Sequence, residues 1–149
     1  MEFTPKKRFF TFIRNLQNEI CDALVSFEPH ETFIEDRWER EAGGGGWSRV
    51  LKGTTFEKAG VNVSEVHGPV PEVLKGSIAE SAKDFYATGI SLVIHPVNPM
   101  VPTTHANFRY FEVTDKNGDI VDQWFGGGAD LTPYYLFQED ASHFHQTLK

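Results

Sequence analysis

The stretch "HPVNPMVPTTHANFRYF", His95 to Phe111, puts two histidines around a loop with three prolines, then sets Asn107 and Arg109 among apolar and aromatic residues. An imidazole can take or give a proton near neutral pH. A guanidinium can clamp a carboxylate with two parallel charge-assisted hydrogen bonds. Asp130, which follows Gly126–Gly128, adds a carboxylate, and Ser91 a hydroxyl. Together these residues suit acid–base work on an anionic ligand. Taken singly, each has a plainer reading. His105 could bond backbone at a strand entry, Arg109 could sit in an ion pair or be a solvated edge residue, Asp130 could cap a helix, and the glycines could mark a bulge. His143 and His145 are two apart, so in a helix only one of them can face such a site. Gly43–Gly46 lacks the Lys-Ser/Thr that completes a phosphate-binding loop, and is read as a flexible loop or a close backbone approach.

These residues need a scaffold. Thr4 and Pro5 form a cap and first-turn pair, and Phe9, Phe12, Ile13, Leu16, Ile20 and Leu24 recur at helical spacing, predicting a helix from about Pro5 to Ser26. "ETFIEDRWERE" could be a strand or an irregular segment. Trp47–Leu51 and Val61–Val66 are predicted strands, and "PVPEVLKGSIAESAKDFYAT" is expected to hold one or two short helices. "ISLVIHP", "HANFRYFEVTD" and "IVDQWF" are predicted strands, with Asn117-Gly118 turning the last two into a hairpin. Thr132-Pro133 is expected to start a helix.

Alternation decides which residues can meet. Ser91 and His95 share a strand face, as do His105, Asn107 and Arg109. A two-residue turn at Asn117-Gly118 places Phe111 opposite Trp124, Arg109 opposite Gly126, Asn107 opposite Gly128 and His105 opposite Asp130. Two glycines then clear space beside the amide and the guanidinium, and a carboxylate lands beside a histidine. A different turn length or a bulge would break this register.

The 149 residues fit one domain, and 40% hydrophobic with 13% aromatic residues supply a core. A net charge of −7 argues against nucleic acid as a partner. Cys21 stands alone, so neither an intrachain disulfide nor a cysteine-rich zinc site is expected. No run is long enough for an integral membrane segment, and no leader is evident, so a cytoplasmic location is expected. "EDASHFHQTLK" opens a helix that reaches Lys149 without a stop signal.

Three long blocks, "GGWSRVLKGTTFEKAGVNVSEVHG", "GISLVIHPVNPMVPTTHANFRYFEV" and "WFGGGADLTPYYLFQEDASHFH", resemble the oxygen-dependent coproporphyrinogen III oxidases. The resemblance implies an α+β fold with a large antiparallel β-sheet flanked by α-helices, here incomplete, because family members are longer and the chain matches their N-terminal part. It implies oxidative decarboxylation of coproporphyrinogen III to protoporphyrinogen IX in haem biosynthesis, with O2 as co-substrate, no required cofactor and a homodimeric enzyme. It casts His105 and Asp130 as catalytic and Ser91, Asn107, Phe108 and Arg109 as substrate contacts. It also implies a disputed divalent-metal site on His95, His105 and His145. For a eukaryotic chain that has lost a presequence, it implies the mitochondrial intermembrane space.

Two other readings compete. His95, His105, His145 and Asp130 suit a non-haem iron or zinc enzyme, for which metal content and EDTA sensitivity discriminate. A non-catalytic binder of tetrapyrroles would use the same Arg109 pocket and show binding without turnover.

Overall fold

A computed structural model describes residues 4–149. Helix α1 spans Pro5–Val25, with Thr4 as N-cap and proline in its first turn. It is followed by strands β1 (Ile34–Glu39), β2 (Gly44–Leu51), β3 (Phe56–Pro69), β4 (Asp84–Pro96), β5 (Thr103–Thr114) and β6 (Ile120–Thr132), then helix α2 (Gln138–Thr147). The six strands form one antiparallel sheet in chain order, β1-β2-β3-β4-β5-β6. The α+β class with an antiparallel sheet is therefore as expected. β1 and β6 are its two edges.

The core lies between α1 and one sheet face. Ile13, Gln17 and Cys21 form the buried stripe of α1. Ile13 and Cys21 pack with Val61, Val63 and Ile90. A second cluster, Leu51, Phe56, Ala59 and Ile94, extends the core toward the β2–β3 turn. Burying each such aliphatic side chain contributes about 1.5–3 kcal/mol. Gln17 is tolerated in this core because its amide donates to the carbonyls of Trp47 (2.9 Å) and Val61 (2.8 Å).

Two carboxylates fasten the helix ends to the sheet. Lys6 Nζ donates to buried Glu112 at 2.6 Å. Just past α1, buried Glu28 accepts the backbone N–H groups of Thr54 (3.0 Å), Thr55 (2.7 Å) and Phe56 (3.2 Å), together with the Thr54 hydroxyl. Burial would raise the pKa of Glu28, but these donors outweigh it and hold the carboxyl at about 2.

The region after β3 holds one short 3-10 helix, Glu72–Leu74, within the one or two short helices expected. Three local expectations are corrected. Gly44–Gly46 belong to β2 rather than to a loop. Gly43 and Gly44 adopt positive φ at the turn, and a Cβ on Gly44 would lie 2.7 Å from Val66 Cα, so the close approach is to neighbouring backbone. Thr132 ends β6 by pairing with Thr103, and the helix starts only at Gln138. Strand pairing outweighs the local cap signal there, and Pro133, lacking an N–H, stops the ladder.

The third correction concerns the hairpin. Gly118 has φ 85°, Asp115 N–H donates to Asp119 O, and Thr114 pairs with Ile120, so the loop holds three residues rather than two. That shifts the pairing by one. Val113 then pairs with Asp122, skipping Val121, and this bulge restores the predicted register. Phe111 faces Trp124, Arg109 faces Gly126, Asn107 faces Gly128 and His105 faces Asp130, as expected.

Candidate functional site

Cross-strand pairs share a face, so the pairings define rows of side chains on the side of the sheet away from α1. One row runs Asp36, Ser48, Asn62, Ser91, Asn107, Gly128 from β1 to β6. The next runs Trp38, Gly46, Ser64, Gly89, Arg109, Gly126, and on the other flank Val93, His105 and Asp130 align. The opposite face carries Val61, Val63, Ile90 and Tyr110, the residues α1 covers. A near-strict alternation of small polar and bulky apolar residues in "VNVS" and "GISLVI" thus builds a polar floor on one side and a core on the other.

Above the floor lies an open groove of about 350 Å³ bordered by Trp38, Asn62, Ser64, Ser91, Asn107 and Arg109. Arg109 is exposed and forms no ion pair or side-chain hydrogen bond among the described residues, so its charge is free for a ligand. Asn107 Oδ1 is buried and has no hydrogen-bond partner among the described residues. An unsatisfied buried acceptor costs about 1–3 kcal/mol, a cost removed once the amide turns its oxygen toward an N–H donor over the floor. Gly126 and Gly128 differ from Gly127. A Cβ on Gly128 would meet nothing within 4 Å and one on Gly126 only the Arg109 side chain, whereas one on Gly127 would lie 2.5 Å from Asn107 O. The backbone does not require glycine at 128, yet the strand holds one there.

His105 Nδ1 and Asp130 Oδ2 are 2.9 Å apart. The carboxylate's other oxygen accepts a 3.3 Å hydrogen bond from Thr132 Oγ1, and the Asp130 carbonyl accepts one from Thr104 Oγ1. A carboxylate at Nδ1 favours the tautomer with hydrogen there and leaves Nε2 to exchange a proton with a ligand. Two plainer readings therefore fall away, since Asp130 caps no helix and His105 bonds a side chain rather than backbone. Arg109 has no partner carboxylate among the described residues, which removes the ion pair, while its exposure agrees with a solvated residue.

The remaining site expectations fare differently. Ser91, Asn107, Arg109, His105 and Asp130 converge on one face. Phe108 does not join them. It pairs with Ile90 and Gly127, so its side chain lies on the α1 face, as strand alternation requires. Only its backbone belongs to the Asn107–Arg109 stretch. The metal set on His95, His105 and His145 is also not assembled. Among the described residues no three His, Cys, Asp or Glu side chains form a metal-binding group. His95 is exposed and opposite Lys58, His105 is turned to Asp130, and His145 belongs to α2, which buries no residue. As placed here they form no three-ligand group, although Asp130 and His145 border one cavity beside α2. Sequence reasoning missed Trp38, Ser48, Asn62 and Ser64. The alternation in "VNVSEV" carried the signal for Asn62 and Ser64, whereas β1 gave none.

No helix among the described residues is long and apolar enough to cross a membrane. A sequence model described as coproporphyrinogen III oxidase matches residues 8–149. The chain is 50% identical over 145 residues to the oxygen-dependent coproporphyrinogen-III oxidase of Parasynechococcus marenigrum (strain WH8102), covering 95% of this chain and 38% of that protein. It is 48% identical over 156 residues to the chloroplastic coproporphyrinogen-III oxidase 1 of Arabidopsis thaliana, covering 97% of this chain and 40% of that protein.

Proposed function

The chain belongs to the coproporphyrinogen III oxidase family, and from that premise we propose that it works in the oxygen-dependent conversion of coproporphyrinogen III to protoporphyrinogen IX. Each of two propionates loses its carboxyl as CO2 and, from the carbon next to the ring, a hydrogen with its electron pair, leaving a vinyl group. One O2 per propionate accepts these two electrons and, with one added proton, becomes H2O2. In this reading O2 is the sole co-substrate.

The observation that carries the proposal is an unpaired guanidinium and an unpartnered amide oxygen on a glycine floor beside a His–Asp pair. Arg109 clamps a propionate carboxylate, a bidentate match of charge and shape. Asn107 Oδ1 accepts a pyrrole N–H, which relieves its unsatisfied state. Ser91, beside Asn107 in the same row, offers its hydroxyl to a second carboxylate. Asp130 takes a proton from a pyrrole nitrogen, making the ring electron-rich enough to react with O2, and later returns it, while His105 Nε2 gives a proton to the reduced oxygen that leaves as H2O2. Gly126 and Gly128 let the macrocycle lie close to the backbone. A homodimer belongs to the same proposal and rests on the family resemblance.

The test is incubation of the purified chain with coproporphyrinogen III in air with EDTA present, then chromatography of the oxidised porphyrins. A protoporphyrin peak that vanishes under argon is expected. Bound substrate with no product in air would leave this chain a tetrapyrrole binder and remove catalysis from it.

A further inference from the structure

We propose that Trp38 is the second wall of the tetrapyrrole groove, stacking on a pyrrole ring remote from the propionate that Arg109 holds. It thereby sets how the macrocycle lies across the sheet. This rests on the reading above and extends the site from β4–β6, where the sequence located it, to β1–β3.

Trp38 and Arg109 border the same groove from opposite ends. They occupy one row, separated only by Gly46, Ser64 and Gly89. At ~4.8 Å per strand this row spans about 19 Å between the two backbones. No side chain larger than serine interrupts it, so the floor is flat enough for a large ring system. Core packing does not account for the indole. Every residue of β1 is exposed, and Trp38 itself is 37% exposed. Its ring lies over Gly46, where a Cβ would come within 2.6 Å of Cε2 and 2.8 Å of Nε1. Glycine inside a strand costs stability. Here the missing side chain lets the indole lie against backbone. Nε1 then donates to Ser48 Oγ at 3.3 Å, which fixes the ring plane. A preoriented aromatic face at the rim of a polar groove suits the flat face of a pyrrole, and such contacts are favourable beyond the area they bury.

The test measures fluorescence anisotropy of coproporphyrin III, a stable oxidised stand-in, titrated with the wild-type chain, Trp38→Phe and Trp38→Leu. Melting by circular dichroism checks that both variants fold. Trp38→Leu is expected to bind about tenfold more weakly, while Trp38→Phe stays within threefold of wild type. Equal affinity for wild type and Trp38→Leu would overturn the inference while sparing the functional reading, and so would equal losses in both variants. If the folded wild-type chain does not bind coproporphyrin at all, the functional reading falls first and takes this inference with it.

Discussion

Adjacent glycines in β6 are expected to respond in opposite ways to the same substitution. Gly128 has no positive φ, and its Cβ direction is empty to 4 Å. Alanine there adds no clash and removes unfolded-chain entropy, so Gly128→Ala should stabilise by about 0.5–1 kcal/mol. At Gly127 the new carbon would sit 2.5 Å from Asn107 O and 2.8 Å from Phe108 Cδ1. The carbonyl belongs to the ladder and cannot move freely, so Gly127→Ala should destabilise by about 1–3 kcal/mol. The two variants should thus lie about 1.5–4 kcal/mol apart in urea denaturation of the same chain. The larger Gly128→Val keeps the stability but fills the space beside Asn107, and should weaken coproporphyrin binding by tenfold or more. If Gly128→Ala lost more than ~1 kcal/mol, the glycine would be serving the backbone. If Gly128→Val bound ligand as wild type does, the floor would not be a ligand surface.

Arg109→Ala should cost 10- to 150-fold in porphyrin affinity, from about 1.5–3 kcal/mol for a charge-assisted contact; its urea midpoint should stay put, because the guanidinium has no protein partner among the described residues, and unchanged affinity would remove its assigned role. Asp130→Asn should bind coproporphyrin III but lose turnover by at least about a hundredfold, as expected of a lost general base; retained turnover would exclude proton transfer to this residue. Glu28 has its carboxyl lowered from 4.5 to about 2 in the fold, so it stabilises the native state fully above pH 4.5, and that contribution is lost as pH falls toward 2. Glu28→Gln should therefore melt lower at neutral pH and lose less stability than wild type between pH 4.5 and 2; parallel melting curves across that window would contradict the assignment.

Alternation by itself determined a good deal. Because strand side chains switch faces every residue, "ISLVIHP" and "HANFRYFEVTD" already separated a polar face holding Ser91, His105, Asn107 and Arg109 from an apolar one. The same rule excluded the Phe108 side chain from that face. The helical spacing of Phe9 to Leu24 with Thr4-Pro5 in front located α1 to within a residue, since cap chemistry and period agree there. The pairing of His105 with Asp130 was also legible, though the turn behind it was not: a three-residue loop and a bulge at Val121 cancel, because each shifts the register by one in opposite senses. Tertiary structure decided the rest. Thr132-Pro133 looks like a helix start, yet pairing with β5 kept Thr132 in the sheet, since ladder hydrogen bonds outweigh a local cap. The histidines form no three-ligand group among the described residues, because a shared residue type says nothing about distance across strands and loops. Trp38 entered the groove through β1, a strand exposed on both faces with no periodic signal, whose place was decided only when its backbone paired with β2.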